Sequence, residues 1–321
     1  MTELVAGSCF KKKEGRMYLC ESCSSTNVSF EKIKPSLSYW SCRECGHCLI
    51  DFTSGLETKF ESAQKGYYGA ESLLLRESPA IFEREILAAR ERLVRRYIRP
   101  SSNVVEVGPG SGFFAALLRE RGHQVELFEH GAELAAALSE KLHVPTHVGE
   151  FESADFSLAA ADVFCSFHVI EHVKDPIKHL SAGYRAVRPG GVALIATPNA
   201  RSWQQRLLIR LSPNFSSAHL RVFSKASLKR YAESAGWIVE TDFTQEYTSE
   251  WLRVLSKALR KLKKENEETT AGKYSKPSLK MSAVYILAFI FSWPLRQLQA
   301  SLGGGSEINL VLRRPEKDIP Q

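Results

Sequence analysis

Val104-Val105-Glu106-Val107-Gly108-Pro109-Gly110-Ser111-Gly112 is an apolar strand that runs into a glycine-rich turn. Such a turn lets the backbone come close to a ligand at the carboxyl end of a strand. A dinucleotide fingerprint would read G-x-G-x-x-G. Here the glycines are 108, 110 and 112, and Phe113 stands where that third glycine would be. The next apolar run, Val125-Glu126-Leu127-Phe128-Glu129, ends in an acid 19 residues beyond Gly110. An acid at that place can accept both hydroxyls of a ribose.

Outward from this turn the chain alternates between two periodicities. Strand-like runs cover 103–108, 124–129, 144–148, 161–167, 191–197, 237–243 and 307–313. Helical runs cover 79–98, 112–121, 131–140, 175–188 and 225–235. This alternation predicts an α/β fold, a doubly wound and mostly parallel seven-stranded sheet.

The pattern Glu106-x-Gly108-x-Gly110-x-Gly112 resembles motif I of class I S-adenosylmethionine (SAM) methyltransferases. Several later segments follow that family's order and spacing. They are Ala161-Asp162-Val163, the stretch Phe167-His168-Val169-Ile170-Glu171-His172-Val173-Lys174-Asp175-Pro176, then Arg188-Pro189-Gly190-Gly191 and Ala196-Thr197-Pro198-Asn199. The likeness is to the subfamily of ubiquinone-biosynthesis O-methyltransferases, over about residues 80–243 and 305–314. It implies SAM as the methyl donor, with Glu106 near its amino group and Gly108, Gly110 and Gly112 against its methionine part. It implies Glu129 at the ribose, Glu150 and Phe151 at the adenine turn, and Phe167 beside the cofactor. The family more often carries Asp where Glu150 stands.

His168, Glu171 and His172 fall at the carboxyl end of the fourth strand, where open α/β sheets bind ligands. With His219 they form the candidate catalytic set. Two roles are open to it: general base for a hydroxyl acceptor, or a site for a second divalent metal. The spacing also resembles the metal motif of small-RNA terminal 2′-O-methyltransferases, with His168 replacing a Glu. A His/Glu/His/His set favours Zn, Fe or Mn over Mg. The plain alternative is that Glu171 and His172 only orient their loop.

Cys20-Glu-Ser-Cys23 and Cys42-Arg-Glu-Cys45 are two C-x-x-C pairs separated by 18 residues. This spacing suits a structural Zn2+ held by four thiolates. Residues 1–53 are therefore expected to form a zinc ribbon, 54–78 a linker, and 79–321 the SAM-binding domain. Cys48 and His47 are spare ligands; Cys165 reads as core.

A third feature is an insertion at about 245–305. In 251–264 an apolar helical face, with Trp251, Leu252, Val254 and Leu255, is surrounded by Arg253, Lys257, Arg260 and Lys261. After a polar break at 263–268 comes the uncharged run 281–295, interrupted by Pro294 and shorter than the about 20 residues of a membrane span. The insertion reads as a lid, a peripheral membrane contact or a dimer face. The net charge of +7 is modest, and no apolar signal segment follows Lys11-Lys12-Lys13. The expected location is cytoplasmic, with contact at the inner membrane face as an extension. The expected function is methyl transfer to a hydroxyl of a small-molecule or lipid-linked acceptor. Two alternatives stand beside it: an RNA base methyltransferase using the ribbon, which the few basic and aromatic residues of that ribbon disfavour, and a catalytically silent SAM-binding protein.

Overall fold

The computed structural model describes residues 10–13, 17–34, 37–51, 78–155, 161–209, 212, 214–216, 218–262 and 279–316. All but Ser78 of the expected linker 54–78 lies outside the described residues, as does the polar break 263–268.

The chain opens with β1 (Phe10–Lys13), β2 (Met17–Cys20), β3 (Val28–Lys34), β4 (Leu37–Cys42) and β5 (Cys48–Ile50). Helix α1 (Ile81–Val94) leads into β6 (Asn103–Val107), α2 (Phe113–Glu120), β7 (Gln124–Glu129), α3 (Ala132–Leu142) and β8 (Thr146–Val148). A short 3-10 turn at Phe151–Ser153 precedes β9 (Ala161–Phe167), α4 (Pro176–Ala186), β10 (Val187–Pro198) and α5 (Trp203–Leu208). Then come β11 (Arg221–Val222), α6 (Lys225–Ser234), β12 (Ile238–Gln245), α7 (Thr248–Leu262), α8 (Leu279–Ser301) and β13 (Glu307–Arg313).

The large sheet has seven strands in the order β12-β13-β10-β9-β6-β7-β8. The five strands from β10 to β8 are parallel to their neighbours; β13 is antiparallel to both β10 and β12. The chain leaves β6 toward β7 on one side and returns with β9 on the other. That reversal opens a crevice at the carboxyl ends of β6 and β9, the place where such sheets bind ligands.

Alternation along the strands builds two cores. Ala193 and Ile195 of β10 join Ile308, Leu310 and Leu312 of β13 on one face, under α4 and α6. Val192, Leu194 and Ala196 of β10 join Val163, Cys165 and Phe167 of β9 on the other, under α1, α2 and α3. Cys165 is core, as its setting in an apolar run predicts.

Strands β1 and β2, the latter ending in Cys20, form a two-stranded sheet, and β4 and β5, with Cys42 and Cys48, belong to a four-stranded sheet ordered β11-β5-β4-β3. Its edge strand β11 comes from the far side of the chain, and Arg221 pairs with Leu49. The insertion is helical. Its second half differs from expectation, because α8 continues through Pro294. Proline removes one helical donor, and Arg296 Nη2 donates nearby to Phe289 O at 3.1 Å. Arg296 also reaches Glu85 at 2.6 Å, tying α8 to α1.

Candidate functional site

The turn after β6 is built on left-handed backbone. Gly108, Gly110 and Gly112 have φ of 64°, 56° and 73°, a region that costs nothing only for glycine. A Cβ on Gly108 would also meet Val169 at 2.6 Å. The turn ends in α2, whose N-cap is Gly112.

Two buried carboxylates flank this turn. Glu106 is 2% exposed, and its Oε2 has no hydrogen-bond partner among the described residues. Burial pushes its carboxyl up to about 7, against the pull of Arg90. An unpartnered buried carboxylate is costly unless a cation arrives to meet it. Glu129, at the end of β7, accepts from Gly131 N at 2.9 Å, and burial raises its pKa. Orphan oxygen, positive-φ cradle and second acid suit a ligand bearing an ammonium and a ribose.

Phe151 is buried, stacked on Phe164 at 5.2 Å between ring centroids, and Glu150 precedes it. Phe167 ends β9 with its ring against Phe114 and the Arg90 guanidinium over its face at 4.4 Å.

Beyond Phe167 the chain makes a sharp turn, with His168 at φ 58°. Asp175 Oδ1 then accepts from Ile177 N and Lys178 N, capping α4 and fixing the loop's exit. Glu171 is fully buried. Its Oε2 accepts from Thr197 Oγ1 at 2.9 Å, and its Oε1 has no hydrogen bond among the described residues. Burial disfavours its charge, yet the three histidines around it hold the carboxyl down at about 2.

Glu171, His172 and His219 present ligand atoms within 4.8 Å of one another. His172 Nδ1 donates to Ala218 O at 2.6 Å, and His219 Nδ1 donates to Asn214 O at 2.7 Å. Bonds of this kind to a backbone carbonyl set the tautomer of a metal-binding histidine and leave Nε2 to ligate. Burial and the neighbouring His172 lower His219 to about 4, so its ring is neutral at pH 7. The donor set fits a divalent cation.

His168 stands apart from this group of three. Its Nε2 lies 2.7 Å from Glu307 Oε2 and its Nδ1 lies 3.3 Å from Glu171 Oε1. Its side chain is 41% exposed, and pairing with the carboxylates of Glu171 and Glu307 holds it charged, raising it to about 10. The four-residue set expected from sequence thus separates into three clustered donors and one charged neighbour.

The structure adds residues that motif reading misses. Glu307 accepts from Tyr247 OH at 2.9 Å and Asn309 Nδ2 at 3.0 Å, besides meeting His168. A signal was present: Glu307 and Asn309 are polar at alternating positions of a strand whose other residues up to Leu312 are apolar.

The four cysteines form the second cluster. Their sulfurs lie within 4.8 Å of one another, with Cys20–Cys45 and Cys23–Cys42 each at 3.6 Å. A tetrahedral zinc with Zn–S of about 2.3 Å sets its sulfurs about 3.8 Å apart, so this cluster fits a small zinc site. Cys48 lies outside the group; burial pushes its thiol up to about 12. His47 is also outside it, 2.8 Å from Glu21.

Comparison with known proteins identifies the family and the fold. A family model described as Methyltransferase domain matches residues 80–241. A Mycolicibacterium smegmatis protein bearing the name probable S-adenosylmethionine-dependent methyltransferase is 31% identical over 139 residues, 43% of this chain and 52% of that protein. A ubiquinone biosynthesis O-methyltransferase from Idiomarina loihiensis is 28% identical over 145 residues, 41% of this chain and 60% of that protein. The match thus spans only about half the length of these curated relatives. The cyclase SpnF shares the fold, with a TM-score of 0.50 at 13% identity over 83% of this chain and 94% of that one. The family model covers half of the chain, over the segment that carries Glu106, Glu129 and Glu171: this chain belongs to the methyltransferase domain family.

Proposed function

We propose that this chain moves the methyl group of SAM to a hydroxyl on a small-molecule or lipid-linked acceptor. The observation that carries this reading is the pair of buried carboxylates, Glu106 and Glu129, on either side of the left-handed glycine turn. Glu106 meets the donor's ammonium and Glu129 its ribose hydroxyls. Glu150 and Phe151 border the adenine, and Phe167 lines the same crevice.

Transfer from a sulfonium is an in-line displacement. The S–CH3 bond breaks as the O–CH3 bond forms, sulfur keeps the electron pair, and the hydroxyl proton departs. Glu171, His172 and His219 stand at the acceptor side and would hold a divalent cation. That cation would polarise the acceptor oxygen and ease loss of its proton. His168, charged between Glu171 and Glu307, orients the loop rather than taking the proton. The names of two relatives support oxygen as the acceptor atom: ubiquinone biosynthesis O-methyltransferase and malonyl-[acyl-carrier protein] O-methyltransferase.

The lipid-linked acceptor draws support from α8. No helix among the described residues is long and apolar enough to cross a membrane. Yet Val284, Leu287, Phe291, Leu295, Leu298 and Leu302 form an exposed stripe at helical spacing, and Phe291 is 76% exposed. An apolar stripe of this kind can rest at a lipid surface.

The test is transfer from methyl-labelled SAM into three extract fractions: polar metabolites, lipids and RNA. Label in metabolites or lipids is expected, with loss in Glu129→Gln through SAM binding weaker by about tenfold or more. Label in RNA alone would replace this reading with nucleic-acid methylation. SAM binding with no label in any fraction would leave a silent SAM-binding protein.

A further inference from the structure

The cysteine cluster and the histidine loops share a wall. Strand β11 begins two residues after His219 and pairs with β5 of the cysteine sheet. Ile50 N donates to Leu220 O at 2.9 Å, and Leu220 N donates to Glu171 O at 2.8 Å. One backbone link therefore runs from β5 through Leu220 to Glu171.

A second link runs through side chains. Glu21 lies between the ligand pair Cys20 and Cys23. Its Oε1 accepts from Arg221 Nε at 2.7 Å and from His47 Nε2 at 2.8 Å. Arg221 is 3% exposed; its Nη1 donates to Val173 O at 2.9 Å and its Nη2 to Lys174 O at 3.1 Å. One guanidinium thus joins the first cysteine knuckle to the two residues that follow His172. Around it, Ser224 Oγ donates to Cys45 O, and Tyr39 OH donates to Ser216 O at 3.1 Å. A buried ion pair is a poor source of net stability, because desolvation offsets its attraction. Its fixed fork geometry, however, holds three elements at set distances.

We propose that Glu21 and Arg221 are positioning residues through which the four-cysteine site sets the spacing of Glu171, His172 and His219. Metal at the cysteines fixes the knuckle and so fixes Glu21. Glu21 orients the guanidinium, and the guanidinium holds the carbonyls of 173 and 174. The cysteine module is a brace for the acceptor side rather than an independent binding unit. The inference rests on the acceptor-side reading of the histidine cluster for its functional meaning, but its test does not.

The test uses Arg221→Lys and Glu21→Gln in the full chain. Lysine keeps the charge and loses the fork; Gln keeps the shape and loses the charge, and serves if the first variant folds poorly. Zinc content and SAM affinity are expected to stay within about twofold of wild type. Amide exchange over 171–174 and 218–223 should rise by about tenfold or more. The ring signals of His172 and His219 in NMR spectra should move while those of His123 and His143 stay. Unmoved ring signals with unchanged exchange would overturn the proposal. So would exchange that rises equally over β6 and β7, since that is general loss of stability. Moved signals with an unchanged acceptor KM would keep the brace and reject the acceptor-side reading instead.

Discussion

His172 and His219 meet with ring centroids 4.8 Å apart and planes at 75°, each turning Nδ1 to a backbone carbonyl. Two imidazoles with committed Nδ1 atoms beside a buried carboxylate form a donor set rather than a packed pair. His219→Ala is expected to remove one bound divalent ion, to lower methyl transfer by roughly 10²-fold, and to leave SAM affinity unchanged. Metal analysis of the purified variant decides it: ion content equal to wild type would reject the site.

Glu106 makes stability depend on pH. Its folded pKa is raised from 4.5 to about 7, so between those values the folded chain keeps a proton that the unfolded chain releases. Stability therefore falls as pH rises across that window and is level above it. Glu106→Gln should stabilise the ligand-free protein by up to about 3 kcal/mol above pH 7 and change it little near pH 4. It should also weaken SAM binding. Urea unfolding of both proteins across pH 4–8 is the check, and a pH-independent difference would refute the assignment.

Cys42→Ala removes one of four thiolates. A site of this type contributes on the order of 10 kcal/mol to its own folding. Zinc content should fall, and residues 17–51 should become open to protease while the core strands stay protected. Retained zinc with intact protection would show that the cysteines are packing residues.

The stripe on α8 predicts a surface effect without a catalytic one. Leu287→Ser together with Phe291→Ser should weaken sedimentation with phospholipid vesicles by about tenfold or more. Transfer to a water-soluble acceptor should persist. If vesicle binding is absent in the wild type, the stripe has another partner.

The large sheet was legible because its strands are apolar runs between turn residues, and observed ends fall within a few residues of those expected. Strand β8 starts at Thr146 rather than 144, just after Pro145, which has no amide to donate. The run 281–295 looked interrupted because Pro294 is a local breaker, yet α8 has tertiary anchors in Arg296 and Tyr285, both on Glu85. The glycine turn, the acid that ends β7 and the four-cysteine cluster lie where local spacing puts them. The contacts of Glu307 and Arg221 do not follow from local spacing. Their partners lie 139 and 200 residues away, so the polar alternation of Glu307 and Asn309 marks the positions without naming the partner each meets. His168 fell on the right loop, but only the fold reveals that Glu307 claims it.

The place of β13 has a consequence for how the protein is made. This strand sits between β10 and β12, and it carries Glu307 at its first position. Both neighbours leave the ribosome before it. Strand β12 has no sheet partner until residues 307–313 emerge, and His168 lacks the second of its two carboxylates until the same moment. A nascent chain can assemble the parallel strands β6 to β10 early, since domains build from the amino end. Synthesis itself thus lets the glycine turn form early and leaves the His168–Glu307 pair unmade until β13 slots in.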